Sequence, residues 1–229
     1  MLVSGGLDSA VLLAESSRRH RAVHPLYVRS GLLWEPAELA HLRDFLESTQ
    51  SPSLRPLQVL EWPVADLYGD HWSVTGRRVP DDQSADEAVF LPGRNLFLLG
   101  KAVTWCHLQE VPRLALGVLG SNPFPDATDG FFERYQVLMN EALGGNVAIE
   151  RPFAHLTKTE LIRRGRELPL ERTISCLQPV AGRHCGRCNK CAERRRAFAE
   201  TGVADRTFYA HEPNSVLAPR APSGSHTSR

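Results

Sequence analysis

Short apolar runs separated by longer amphipathic stretches predict an α/β protein with a doubly wound parallel sheet and a C-terminal helical segment of different character. Three observations carry this expectation. Apolar runs of strand length recur at 23–28, 57–62 and 113–119. Between them, 9–18, 35–49 and 95–108 place apolar residues at helical spacing. Crossovers of that length impose parallel pairing. Beyond residue 170 the alternation gives way to clustered cysteines.

Only Met1, Leu2 and Val3 precede the first glycine turn, so the first strand is expected to be very short. Val11, Leu12 and Ala14 mark the helix that follows. A strand at 23–28 leads to a helix at 35–49, which has Leu39, Leu42, Phe45 and Leu46 on one face. The next strand is 57–62. Residues 68–89 are polar, carry Asp81, Asp82, Asp86 and Glu87, and read as a mobile loop. An apolar helix at 95–108 and a strand at 113–119 follow. The helix at 131–143 is stopped by Gly144-Gly145. A short strand is expected at 147–149, and Thr157-Lys158-Thr159-Glu160 has the form of a capping box that starts a helix through 167. The last helix, 192–201, ends at Gly202. The expected organisation is a nucleotide-binding part at 1–170, a cysteine-bearing part at 171–210 and a disordered tail at 211–229.

Composition narrows the classes. The 229 residues include 42% hydrophobic and 23% charged residues, values close to globular averages. Lys+Arg 27 against Asp+Glu 26 gives a net charge of +1, which argues against stable nucleic-acid binding. No apolar run reaches membrane length, and MLVSGG lacks the basic start and apolar core of an export signal. A cytoplasmic protein with reduced cysteines is therefore expected.

Ser4-Gly5-Gly6-Leu7-Asp8-Ser9 lies between the first strand and the first helix, where open α/β sheets bind ligands. Two glycines let backbone close around an anion, and the helix directs free N–H groups at the same point. No Gly-x-x-x-x-Gly-Lys-Ser/Thr is present, so this is not the lysine-bearing P-loop. The alternative is a tight turn capped by Asp8 or Ser9. Val3 joins the loop residues as part of the phosphate-binding set.

Cys176, Cys185, Cys188 and Cys191 follow a C-x8-C-x2-C-x2-C spacing. Two-residue gaps let thiolates converge on one tetrahedral ion, and four thiolates make a closed, structural zinc site. An iron–sulfur cluster or a redox pair is the rival reading. His184 is expected on the surface or just behind the cluster, and Cys106 as a small buried hydrophobe. Arg183, Arg187, Lys190, Arg194, Arg195 and Arg196 make this region basic. They read mostly as a solvated helix face, with a lid over phosphates or RNA as the alternative.

SGGLDS resembles the signature of the PP-loop ATP pyrophosphatases, which implies an adenine-nucleotide α-hydrolase-like sheet and activation of a carboxyl or carbonyl oxygen by ATP with Mg²⁺. The cysteine segment narrows the resemblance to 7-cyano-7-deazaguanine synthases. Ile174-Ser175-Cys176, His184 to Cys191, Arg194, Arg195, Phe198, Gly202, Asp205 and Tyr209 carry it. Leu91-Pro92-Gly93-Arg94-Asn95 and Pro152 with Leu156 to Leu161 agree. Similar synthases have an Asp-Tyr-Ser-Gly-Tyr-Pro-Asp-Cys-Arg pattern where this chain has Ser121-Asn122-Pro123-Phe124-Pro125-Asp126-Ala127-Thr128-Asp129.

The resemblance implies ATP-dependent conversion of a deazapurine carboxylate and ammonia to a nitrile, a step towards queuosine. Ammonia would come from solution or a partner, and a homodimer is allowed. Asp8 would help place Mg²⁺. Lys158, one of three lysines, and Arg94 are candidates for transition-state charge stabilisation; for Lys158 a solvated first-turn lysine is the equal alternative. Asp126 and Asn95 are candidates for contacting the guanine-like edge, with a turn role for Asp126 open. A paralogous enzyme that activates another carboxylate, or modifies tRNA or protein, is the other reading.

Overall fold

The computed structural model of the chain describes residues 1–120 and 122–213. Within these residues four strands, β1 (Leu26–Arg29), β2 (Gln58–Glu61), β3 (Arg113–Ala115) and β4 (Ala148–Glu150), form two parallel pairs, β1 with β2 and β3 with β4. The N-terminal residues join the pairs. The Val3 N–H donates to the Leu26 carbonyl at 2.9 Å and Leu26 N–H to Met1 O at 2.8 Å, while Leu2 N–H donates to Ala115 O at 3.0 Å. The order across the sheet is therefore β2, β1, the 1–3 segment, β3, β4, with the first segment at the centre. Three residues are enough because they are bonded on both sides.

Among the described residues, eight α-helices connect and flank these strands: α1 (Leu7–Arg19), α2 (Glu35–Ser48), α3 (Ala65–Tyr68), α4 (Trp72–Thr75), α5 (Arg94–Leu108), α6 (Asp129–Leu143), α7 (Lys158–Arg164) and α8 (Asn189–Thr201). Side chains alternate across the central strands, as extended backbone dictates. Met1, Val3 and Tyr27 enter a core with α1, α2, α7 and α8 residues, including Val11, Phe45, Leu161 and Phe198. Leu2, Leu26 and Val28 enter a second core with Leu99, Val103 and Cys106 of α5 and Phe132 of α6. Helices thus cover both faces, which is the doubly wound arrangement expected. Burying each such Leu, Val or Phe contributes roughly 1.5–3 kcal/mol. Cys106 is 0% exposed within that second core, as a small hydrophobe.

Several expected boundaries move for local reasons. The 68–89 segment is not a bare loop. It contains α4 and a 3₁₀ turn at Asp86–Val89, stacks Trp72 on Trp34 at 5.6 Å, and bonds Pro80 O to Asn189 N–H at 3.0 Å. Asn189 of the cysteine segment reaches back into it as well, its amide donating to Ser84 O at 2.9 Å. Helix α7 ends at Arg164 with Gly165 as its C-cap, a position where only glycine fits because an added Cβ would lie 2.6 Å from a Val11 methyl carbon. The ladder of β3 stops at Ala115, and α8 begins at Asn189, N-capped by Cys188. Arg194 departs furthest from the solvated-face expectation. It is 1% exposed and its guanidinium donates to Thr207 Oγ1, Thr173 Oγ1 and Leu170 O at 2.9, 2.9 and 2.7 Å.

The tail expectation at 211–229 falls mainly on residues 214–229, outside the described residues. His211 O and Glu212 O accept from Arg195 and Arg187 at 3.1 and 3.2 Å. No helix among the described residues is long and apolar enough to cross a membrane.

Candidate active site and metal centre

The glycine turn sits where the central strand ends. Gly5 has φ +71, and a Cβ there would meet Glu38 O at 2.8 Å, so only glycine fits both the dihedral and the space. Gly6 is the N-cap of α1 with no side-chain cap, which leaves the first-turn N–H groups without an intrahelical partner. The hydroxyls brace the turn instead. Ser9 Oγ donates to Gly6 O at 3.1 Å and accepts from Ser4 N–H at 3.3 Å, and Ser4 Oγ accepts from Gly6 N–H at 3.4 Å. From the other side, Gly117 presses on the turn; its Cβ would lie 2.8 Å from the Asp8 carbonyl carbon. The cysteine segment closes the ring as Ile174 N–H donates to Gly5 O at 2.8 Å.

Asp8 does not cap its helix. Lys158 Nζ donates to Asp8 Oδ1 and Oδ2 at 2.7 and 3.0 Å and lies 3.4 Å from Glu193 Oε1. Glu193 in turn accepts from Lys190 Nζ at 2.5 Å. The capping box at Thr157 and Glu160 is present and fixes the start of α7, which aims Lys158 at the loop. Lys158 is thus drawn into the site rather than solvated. Burial would lower its ammonium, but Asp8 and Glu193 outweigh that and hold it above its ordinary value. Burial would raise the Glu193 carboxyl, but Lys158 and Lys190 hold it down to about 2. The result is a row of alternating charges, Asp8, Lys158, Glu193 and Lys190, along the cleft floor.

Two cavities of about 270 and 520 Å³ meet over this row and share Ser4, Asp8, Glu38, Arg94, Lys158 and Glu193. The larger lobe runs over the strand ends past Val3, Tyr27, Val28 and Leu116. The smaller is walled by Trp34, Trp72, Phe90 and Phe124, with Leu7 at its base. Arg94 lines both, and its buried Nε has no hydrogen-bond partner among the described residues. Asn95 and Asp126 line the smaller lobe, but they bond each other. Asn95 N–H donates to Asp126 Oδ2 at 3.0 Å and its amide donates to Asp126 O at 2.9 Å. Asp126 therefore sits in a 3₁₀ turn with one oxygen committed to the start of α5.

Glu38 and Glu193 are site residues that the sequence reading did not single out, and Lys190 entered it only as one of a basic cluster read mostly as a solvated helix face. For Lys190 a signal existed: of three lysines in the chain, two reach this cleft. Glu38 accepts from the Tyr27 hydroxyl at 2.9 Å.

The four cysteines converge as their spacing implies. One Sγ from each of Cys176, Cys185, Cys188 and Cys191 lies within 4.8 Å of the others, and all four residues are buried. Sγ atoms of Cys176 and Cys188, and of Cys185 and Cys191, are 3.9 Å apart. A tetrahedral ion with metal–sulfur bonds of about 2.3 Å requires sulfurs about 3.8 Å apart. Backbone N–H groups of Leu177, Gln178, Cys185, Arg187 and Cys188 point at the sulfurs at 3.2–3.4 Å, a donor set suited to thiolates. The residues therefore fit a four-thiolate metal. His184 lies behind them, 1% exposed, with Nε2 accepting from Ser175 N–H at 3.1 Å. Burial, with Arg194 close by, lowers its imidazole to about 2, so it stands there neutral.

Comparison with known proteins agrees in extent with this geometry. A family model described as queuosine biosynthesis protein QueC matches residues 1–202. A 7-cyano-7-deazaguanine synthase of Thiobacillus denitrificans is 33% identical over 221 residues, covering 92% of this chain and 97% of that protein. Proteins of the same description from Brucella ovis and Brucella suis are each 32% identical over 226 residues, covering 91% of this chain and 92% of their own length.

Proposed function

The chain belongs to the queuosine biosynthesis protein QueC family, and on that premise we propose that it is an ATP-dependent carbon–nitrogen ligase converting 7-carboxy-7-deazaguanine and ammonia to 7-cyano-7-deazaguanine. The observation that carries this reading is the meeting, in one cleft, of the glycine turn and the cysteine-anchored helix through Asp8, Lys158, Glu193 and Lys190.

A carboxylate does not react with ammonia, because its oxygens leave poorly. In the proposed reaction ATP transfers AMP to a substrate oxygen and releases pyrophosphate. Ammonia then forms the C–N bond as AMP leaves, giving the amide. A second activation, at the amide oxygen, lets that oxygen depart and the nitrile form. Ser4 to Ser9 hold the phosphates with the free N–H groups of α1, and the lobe over the strand ends takes the nucleoside. Lys158 and Arg94 meet the charge that develops on the phosphates and the leaving oxygen. The flat deazapurine fits between the aromatic walls of the smaller lobe, beside Asp126 and Asn95. No enzyme nucleophile is needed; the protein positions and neutralises.

Two metals belong to the proposal. Mg²⁺ at Asp8 would supply positive charge to the phosphates. Zn²⁺ on Cys176, Cys185, Cys188 and Cys191 would be structural, since four thiolates leave no open position. The parts at 1–170 and 171–210 are proposed as divided by role, and the enzyme as cytoplasmic, using free ammonia. Purified protein given ATP, Mg²⁺, ammonium and the carboxylate should yield nitrile, AMP and pyrophosphate by mass spectrometry. Consumption of another carboxylate, with this one untouched, would transfer the chain to a paralogous activity.

A further inference from the structure

Making a nitrile from ammonium is an exercise in removing protons. Ammonium must lose one before its nitrogen can attack carbon and a second as the amide forms, and the amide must lose both N–H protons as the carbon–oxygen bond breaks. The cleft holds several carboxylates, and their surroundings differ. Asp8 is bonded to Lys158 through both oxygens. Glu193 lies between two lysines. Asp126 is committed to Asn95. Asp86 accepts from the Asn189 amide at 3.3 Å. Glu38 has no ion pair among the described residues. It is half-buried inside the cleft, lines both lobes, accepts from the Tyr27 hydroxyl and faces Arg94 across the junction where the lobes meet.

We propose that Glu38 is the proton acceptor of the nitrogen chemistry, a role that rests on the function proposed above. In the first half-reaction its carboxylate takes a proton from ammonium. The freed nitrogen pair bonds the activated carbon, and AMP leaves with the electrons of the broken C–O bond. The extra proton on the new C–N nitrogen, followed by the one held on Glu38, passes to solvent to leave the neutral amide and the carboxylate. In the second, Glu38 takes a proton from the nitrogen of the activated amide. The N–H electron pair becomes C–N bonding as AMP departs with the former carbonyl oxygen, and the remaining proton follows to solvent. No oxidant or reductant enters. Its place where both lobes meet, beside Arg94, and its environment suit it to this task. Burial pushes the Glu38 carboxyl up to about 7, against the pull of Arg94 and of the Tyr27 and Trp34 hydrogen bonds, with Glu35 adding to the rise. A base poised near neutrality is the effective one at neutral pH. The charges facing it are Arg94 from α5, Glu35 from its own helix and Tyr27 from β1, with Asp8, Lys158, Glu193 and Lys190 along the floor.

The test compares wild type, Glu38→Gln and Tyr27→Phe in two assays. Carboxylate-dependent ATP–pyrophosphate exchange without ammonium reads activation alone, and nitrile formation reads the nitrogen steps. Glu38→Gln should keep exchange within about threefold of wild type and lose about 10²–10⁴-fold in nitrile formation. Its amide formation should recover as pH rises and free ammonia accumulates. Tyr27→Phe keeps the carboxylate but removes a hydrogen bond that favours its charged form, so the acid limb of its pH–rate profile should move to higher pH. Nitrile formation by Glu38→Gln within about threefold of wild type, or an unshifted profile in Tyr27→Phe, overturns the proposal. Loss of exchange in folded Glu38→Gln overturns it too, by making Glu38 part of the nucleotide site. A wild-type protein inert in both assays fails the functional reading, and this one with it.

Discussion

Arg194 makes the sharpest claim about what holds the cleft in place. Its guanidinium is buried and ties α8 to the 3₁₀ turn at Leu170–Arg172, to Thr173 and to Thr207. It also lies 5.2 Å from the centre of the Phe198 ring. Arg194→Met keeps much of the length and apolar stem but removes three charge-assisted hydrogen bonds. Hydrogen bonds to charged groups contribute roughly 1.5–3 kcal/mol each. Against that sum stands the relief of no longer desolvating a cation, which is several kcal/mol. The Leu170 carbonyl keeps the Thr173 hydroxyl at 2.6 Å, so the substitution does not orphan it. The net loss should be about 2–4 kcal/mol. For a chain of this size each kcal/mol moves Tm by about 2–4 °C, which gives a fall of about 5–15 °C. Thermal unfolding followed by circular dichroism, with metal content measured on the same samples, reads it. A fall under about 2 °C with metal retained would refute the reasoning, by showing that the three bonds only offset the buried charge.

Cys188→Ala should lower zinc from one ion per chain to none by elemental analysis and destabilise the protein, since metal binding here is coupled to folding. Iron with labile sulfide in the wild type would reassign the site. Lys158→Met should cost about 10²–10³-fold in kcat/KM for ATP while leaving the capping box and α7 intact, as seen by an unchanged circular dichroism spectrum. The two cleft carboxylates should titrate with opposite signs. Glu38, held up to about 7, contributes stability that is full below the ordinary carboxylate range and is lost as pH rises through 7. Glu193, held to about 2, contributes stability present above that range and lost as pH falls towards 2. Denaturant unfolding across pH 3–9 should therefore show Glu38→Gln gaining on wild type as pH rises, and Glu193→Gln recovering towards wild type only as pH falls. Parallel curves for either variant would contradict the assignment of that residue.

What could be read from the sequence was local. The turn at Ser4–Ser9, the capping box at Thr157 and the glycine stops after α6 and α8 depend on residues within one or two turns of each other, and they stand where expected. The cysteine spacing is equally local and brings the sulfurs together. Contacts between distant segments left no such trace. Glu38, Lys158 and Glu193 come from α2, α7 and α8, and no periodicity announces that three helices end at one cleft. Arg194 looked like one more surface cation because its partners, Leu170, Thr173 and Thr207, are distant in sequence from it or hidden in turns. The 68–89 segment misled for a related reason. Its polarity matches loop composition, yet its hydrogen bonds are spent on Asn189 and its Trp72 on Trp34.

The first turn of α8 interleaves two kinds of residue: Cys188 and Cys191 turn to the four-sulfur cluster, Lys190 and Glu193 to the cleft. An ion held by the four thiolates would in this sense be a fulcrum for the charges. A tetrahedral ion fixes its ligands to a few tenths of an ångström, and that tolerance is passed one residue along the helix to the ammonium and carboxylate beside Lys158. Oxidation of a single thiol, or exchange for an ion of other geometry, would then tilt the row of charges while every cleft residue remained present. Redesign meets the same coupling from the other side: an apolar plug in place of the metal must reproduce the pitch of this turn as well as fill its volume.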